Sequence, residues 1–265
     1  MPSRTPTFLR EYGKNEFMKA IAIIPARYAS TRLPGKPLLD LHGKTILQRV
    51  YERVAAVDAL AQLAVATDDQ RIMDHVRDFG GQAYLTADTH RSGTDRIAEV
   101  ANMLPEFDVV VNIQGDEPFV STGQIAALLR AVGEKKTDIA TLAHPLQDSE
   151  RLFDPNVVKV VFNRQGNAMY FSRSVIPHVR DRNKNEWISE QSFFQHLGMY
   201  AFKREVLLEV TALLPSRYEQ LEALEQLRWL DYGKQIKVVL TEENGMGIDT
   251  PADLERAKKY FEQYE

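Results

Sequence analysis

The chain contains no cysteine, which excludes disulfides, thiolate metal sites and a cysteine nucleophile. It has no uninterrupted apolar stretch near the roughly 18 residues that suggest a membrane span. Its first residues, MPSRTPTFLREYGKNEF, lack the apolar centre of a secretory signal. They precede Met18 and the run KAIAII, so residues 1–17 are expected to be a dispensable extension or a mis-assigned start, with cytoplasm as the default location. An excess of positive charge is missing too. Against 37 Asp and Glu stand 33 Lys and Arg, a net charge of -4, which argues against a general electrostatic footprint for nucleic acid or anionic membrane. Any anionic ligand must be met by a local cluster. The usual nucleotide fingerprints, G-x-G-x-x-G and G-x-x-x-x-G-K-[ST], are also absent.

What is present is the composition of a folded protein, 44% hydrophobic and 26% charged, on a chain of 265 residues that can bury a sizeable core. Through the first half, AIAII, LAVAT, QAYLT and DVVVNIQ read as strands. Between them TILQRVYERVAAV places Ile46, Val50, Val54 and Val57 at helical spacing, and DQRIMDHVRDFGG ends in a Gly pair suited to a C-terminal cap. SGTDRIAEVANML opens with Ser92 and Thr94 as candidate caps. This alternation signals βαβ units and a mostly parallel sheet. From 138 to 203 the strands DIATLAH, VVKVVFN, AMYFS and FFQHLGMYAFK follow with few helices, which predicts a smaller mixed β-rich region. YEQLEALEQLRWLDYG then reads as helix, IKVVLT as strand, and a last helix follows Pro251. The fold class is α/β, with one domain over 18–265.

Five segments could carry chemistry. PARYASTRLPGKPL ends the first strand, where open α/β sheets place ligand crevices, and brings Arg27, Arg32 and Lys36 together with no acidic residue before Asp40. It is either a solvated basic turn or a phosphate clamp in which Arg forks and a Lys point charge share the anion. NIQGDEP ends an apolar run and presents Asp116 and Glu117, as a turn or as oxygen ligands for a hard divalent cation. GMGIDTPADL offers Asp249 before a Thr-Pro helix start, a turn residue unless it partners Asp116. THRSGTDR can cap a helix or bind phosphate through its backbone N–H groups. FFQHLGMY puts His196 and Tyr200 at even spacing, on one face of a strand.

Together IPARYASTRLPGKPL, HRSGTDR, NIQGDEP, DPNVVKVV, YFSRSVIP, QHLGMYAF, LEQLR and GIDTPADL resemble the 3-deoxy-manno-octulosonate cytidylyltransferase (CMP-KDO synthetase) family, in order and over essentially all of 18–265. The resemblance implies a Rossmann-like nucleotide-diphospho-sugar transferase fold. It implies Mg2+-dependent attack of the anomeric hydroxyl of 3-deoxy-manno-octulosonate (KDO) on the α-phosphorus of CTP, giving CMP-KDO and pyrophosphate and activating KDO for lipopolysaccharide biosynthesis. By position, Arg27, Ser30, Arg32 and Lys36 would surround the CTP phosphates, with Ser92, Gly93, Arg96 and Gln114 on the nucleotide. Asp116 and Asp249 match the metal pair, and Lys36, Arg32, Asp116 and Asp249 would carry the chemistry. Arg173, His196, Tyr200, Glu225 and Gln226 would hold KDO.

No nucleic-acid or membrane partner is implied, while a homodimer built with the 138–203 region is. The departures are the N-terminal extension and Ala252, where the family often has Glu. Sialic acid cytidylyltransferases and sugar-phosphate thymidylyltransferases read differently at the first loop. A binding protein without turnover would have lost Asp116, Asp249 or Lys36, and a dehydrogenase needs glycines this loop lacks.

Overall fold

The computed structural model describes residues 18–29, 33–190, 193–243 and 245–264. The expected extension 1–17 and the loop residues Ser30 and Arg32 lie outside them. The chain builds a nine-stranded sheet in the order β11-β7-β10-β6-β1-β4-β5, with β8 and β9 branching from β10. In chain order β1 is Ala20–Ala26, β4 Gln62–Thr67, β5 Ala83–Leu85, β6 Val109–Asn112, β7 Ile139–Pro145, β10 Phe194–Lys203 and β11 Ile236–Leu240. The helices α1 Ile46–Ala55, α2 Gln70–Asp78, α3 Gly93–Met103, α4 Thr122–Val132 and α6 Arg204–Thr211 cover its faces. A two-residue hairpin, β2 Asp40–Leu41 with β3 Lys44–Thr45, precedes α1.

β1 shows why the sheet forms where it does. Ala20, Ala22, Ile24 and Ala26 enter one core layer with residues of α1, α2 and α4, while Ile21 and Ile23 enter the other with α3 and α6. A strand apolar on both faces belongs in the middle of a covered parallel sheet, and β1 pairs in parallel with β4 and β6. Each buried Ile there contributes about 1.5–3 kcal/mol of transfer free energy. The chain moves from β1 outward to β4 and β5, then returns to the other side of β1 as β6. That reversal opens a crevice at the carboxyl ends of β1 and β6.

The 138–203 region is β-rich, and two of its strands, β7 and β10, lie inside the main sheet. β10 runs antiparallel to both β6 and β7. β8 Lys159–Phe162 and β9 Ala168–Ser172 branch from β10 within the same sheet, as an antiparallel pair, beside the short α5 Ser149–Phe153 and a small cluster of Leu146, Leu152, Trp187 and Phe193. The single helix read in YEQLEALEQLRWLDYG is two, α7 Arg217–Glu222 and α8 Gln226–Asp231. Ala223 breaks it in the left-handed conformation, φ 50°, and turns Glu225 and Gln226 toward the crevice.

The last helix, α9 Pro251–Tyr264, places Ala257 and Phe261 in a third cluster with Leu33, Leu41, Ile46 and Ile248. This cluster joins the end of the basic loop to the segment before Asp249. Residues far apart in sequence therefore meet at one edge of the sheet.

Candidate active site

The basic loop leaves β1 at Ala26, and its backbone closes on itself where Gly35 N donates to Tyr28 O at 3.0 Å. Gly35 has φ 67°, a left-handed conformation that favours glycine, and starts the tight turn Lys36–Leu38. The Arg71 guanidinium covers the Tyr28 ring at 3.3 Å from its centre, which fixes one flank of the loop. In the turn after β6, Gly115 approaches β1 so closely that a Cβ would stand 3.0 Å from Pro25 O. The NIQGDEP turn is thus packed against the end of β1.

That packing brings Lys36 to the carboxylates. Its Nζ donates to Asp116 at 2.5 Å and to Asp249 at 3.0 Å. Burial alone would lower the lysine pKa, but Asp116 and Asp249 outweigh it and raise the value. Asp249 is held by its own turn: Asp253 Oδ2 accepts from Asp249 N, Thr250 N and Thr250 Oγ1 at 3.1, 2.8 and 2.8 Å. Ile248 N also donates to Asp116 O at 2.9 Å. Burial, with Asp116 and Asp249 nearby, pushes the Glu117 carboxyl up to about 8. Lys36 therefore bridges two of these three acids.

Beside this edge lies a cleft of about 310 Å³. Gly93 and Thr94 at the start of α3 form one wall, and Leu224, Glu225 and Gln226 another. Its floor is Asn112 of β6 with His196 and Tyr200 of β10. β10 bulges between Leu197 and Tyr200 yet keeps both rings on one face, 5.4 Å apart. His196 is buried, with Nε2 3.0 Å from Thr141 Oγ1, and burial lowers its pKa to about 3. Burial raises Tyr200 well above 10. Both rings are neutral, so the floor offers hydrogen bonds and no charge.

Glu225 ties cleft to helix. It accepts from Ser92 Oγ at 2.9 Å, Thr94 Oγ1 at 2.7 Å and Arg228 at 3.3 Å. Burial raises its pKa, against the lowering effect of these donors. Ser92 also caps α3, accepting from Asp95 N at 3.0 Å. The helix N-terminus, a place where backbone N–H groups favour anions, therefore opens on the cleft.

The matches decide the family. A cytidylyltransferase family model fits residues 21–236. The 3-deoxy-manno-octulosonate cytidylyltransferase of Parabacteroides distasonis is 51% identical over 92% of this chain and 98% of its own length. This chain belongs to that family. It is a nucleotidyltransferase. The relative of the same name from Bacteroides thetaiotaomicron is 48% identical over 92% of this chain and 98% of its own. A solved CMP:2-keto-3-deoxy-manno-octonic acid synthetase complexed with CTP superposes with a TM-score of 0.87 at 41% identity, covering 93% of this chain and all of that one.

Within this family frame, the structure brings together Lys36, Asp116 and Asp249, and separately Gly93, Gln114, His196, Tyr200, Glu225 and Gln226. Gln114 bridges to β10 by donating to Gly198 O at 2.9 Å. Arg27 is joined to the loop before α3, donating to His90 O at 2.6 Å. Two side chains stand elsewhere than expected. Arg96 is fully buried, its guanidinium turned to Asp68 at 2.8 Å and Thr86 at 2.5 Å, so it supports α3 from behind and does not face the cleft. Arg173 is outside the cleft lining, and donates to the carbonyls of Glu222, Pro155 and Ala223 at 2.7, 3.1 and 3.4 Å, bracing the break between α7 and α8. Sequence reading took Thr94 only as a candidate cap, though it donates to Glu225, and missed Arg228 and Lys159. Lys159 is fully buried and donates to the carbonyls of Asp154, Val157 and Arg173 at 3.0, 2.6 and 2.6 Å. A lysine inside VVKVV was the available signal.

Proposed function

We propose that the protein transfers CMP from CTP to the anomeric hydroxyl of KDO and releases pyrophosphate, supplying activated KDO for lipopolysaccharide biosynthesis in the cytoplasm. The observation that carries this reading is the Lys36–Asp116–Asp249 group at the crevice edge, beside a neutral polar cleft. The triphosphate would lie along Arg27, Ser30, Arg32 and Lys36, and the sugar acid over His196, Tyr200 and Gln226.

Asp116 and Asp249 suit a magnesium ion, because they offer only oxygen donors and their shared space already holds an ammonium. The remaining ligands of such a site would come from substrate phosphates and water. When bound, Mg2+ supplies charge neutralisation and lowers the pKa of a coordinated hydroxyl. The chain's own part is positional. Lys36 would follow the shifting phosphate charge, the α3 N-terminus would hold an anionic oxygen, and neutral His196 would orient a sugar hydroxyl without competing for its proton. Attack on the α-phosphorus would then form one P–O bond, break the bond to pyrophosphate and pass the hydroxyl proton to solvent, with no covalent enzyme intermediate. The family resemblance supports a homodimer through the 138–203 region, and no helix among the described residues is long and apolar enough to cross a membrane.

The test is pyrophosphate release from CTP by purified protein. Release only when KDO and Mg2+ are both present is expected; none under those conditions refutes the reading.

A further inference from the structure

Asn112 ends β6, a strand that otherwise reads Val109, Val110 and Val111. It is 2% exposed. Asn is disfavoured in strands and costly to bury without partners, yet Asn112 Oδ1 has no hydrogen-bond partner among the described residues. The side chain is not capping a turn or stitching the sheet. It lines the cleft, and its antiparallel register partner is Tyr200, whose buried Oη also lacks a partner of good geometry. Thr141 Oγ1, which faces Tyr200, is shared with His196 and with the carbonyls of Leu197 and Met199. The unpaired Asn112 oxygen and the poorly paired Tyr200 hydroxyl thus sit on one sheet face, under the same cleft, where buried polar groups are otherwise paired.

Resting on the activity proposed above, we propose that Asn112 is a specificity-determining residue that, with Tyr200, recognises a hydroxyl of the sugar acid. The chemistry is narrow. A carboxamide oxygen only accepts, while a phenol donates or accepts. A ligand hydroxyl satisfies both, since it donates one bond and accepts others. A hydrogen or methyl in its place would leave the buried oxygens unpaired, which is how a polar site rejects an analogue lacking one hydroxyl. Gln114 and Glu225, whose side chains bond to Gly198 O and to Ser92 and Thr94, are less free to discriminate. The floor pair would therefore set which sugar acid is accepted.

The experiment uses the full chain with CTP, Mg2+ and a set of sugar-acid analogues each lacking one hydroxyl. Wild type should disfavour one analogue by roughly 100-fold or more in kcat/KM. In Asn112→Leu that preference should fall below about 5-fold, KM for KDO should rise about 10-fold or more, and KM for CTP should move less than about 2-fold. Melting curves establish that the variant is folded. If it is not, Asn112→Thr, which keeps a strand-favouring shape without the carboxamide, is read against the same analogues. Tyr200→Phe removes only the second oxygen, and should weaken discrimination at the same hydroxyl. Unaltered KM and discrimination in the folded Asn112 variant overturn the inference, and so does a loss at a different hydroxyl in Tyr200→Phe. No pyrophosphate from wild type would instead refute the proposed activity and this inference with it.

Discussion

The two halves of the site solve opposite problems. At the crevice edge Asp116, Glu117 and Asp249 crowd together, and Lys36 is bound to two of them at 2.5 and 3.0 Å. In the cleft His196, Tyr200 and Asn112 are buried, with no charge on either ring and with unpaired atoms on Tyr200 and Asn112. On the proposed activity, the edge meets charges that change partners and the cleft a ligand read by its hydroxyls. A charged edge and a neutral polar cleft thus lie side by side on one sheet, built by different physics.

Removing charge from the edge should do the greatest damage. If Asp116 helps hold the cation, and cation stabilisation is worth several kcal/mol, Asp116→Asn should lower kcat by roughly 100-fold or more, measured by pyrophosphate release. Near-normal turnover would take Asp116 out of the metal role. Lys36→Met should cost less, roughly 10- to 100-fold in kcat/KM for CTP, because Arg27 and Arg32 would share the phosphates. A loss confined to KM for KDO would place Lys36 on the wrong half of the site.

The cleft should respond to pH through stability, not turnover. His196 has a folded pKa of about 3 against an ordinary 6.5. Above pH 6.5 neither folded nor unfolded chain protonates it, so it contributes nothing. As pH falls below 6.5, the unfolded chain takes up a proton that the folded chain refuses, and stability drops. Between pH 7.5 and 5 this amounts to about 2 kcal/mol. Urea unfolding at both pH values should show that His196→Gln loses about that much of the wild-type decline. An equal decline in the variant would mean that His196 is protonated in the folded protein.

What sequence could reveal depended on whether the cause was local. β1 was legible because its apolar residues fill both faces, and the ends of β1 and β6 were legible because the polar loops PARYAS and NIQGDEP interrupt apolar runs. Lys36, Asp116 and Asp249, each singled out in a polar loop, meet at the crevice edge. The surroundings of Arg96 and Arg173 were not legible because their partners lie far along the chain: Asp68 for one, Glu222 and Ala223 for the other. An arginine in a polar motif looks the same whether it faces a ligand or braces a helix. Asn112 was overlooked inside an apolar run, where its unpaired state appears only once the fold is built.

The helix break at Ala223 is the subtlest case, and the smallest predicted effect. YEQLEALEQL contains strong helix formers throughout, so local propensity favours continuing. Tertiary contacts prevail: Glu222 accepts from Ser172 and Arg173 N at 2.7 and 2.9 Å, while Glu225 is drawn to Ser92 and Thr94. Ala223 between them takes φ 50° and ψ 49°, at a cost of roughly 1–2 kcal/mol for a residue with a Cβ. Glycine would remove that cost but enlarge the unfolded chain's freedom by about 0.4–1 kcal/mol. Ala223→Gly should therefore stabilise by roughly 0.5–1 kcal/mol and raise Tm by about 1–4 °C. Ala223→Val, β-branched at positive φ, should lower Tm and also raise KM for KDO, since Glu225 and Gln226 follow directly. If glycine instead lowers Tm, the left-handed break is not the solution conformation, and the wall it gives the cleft must be built another way.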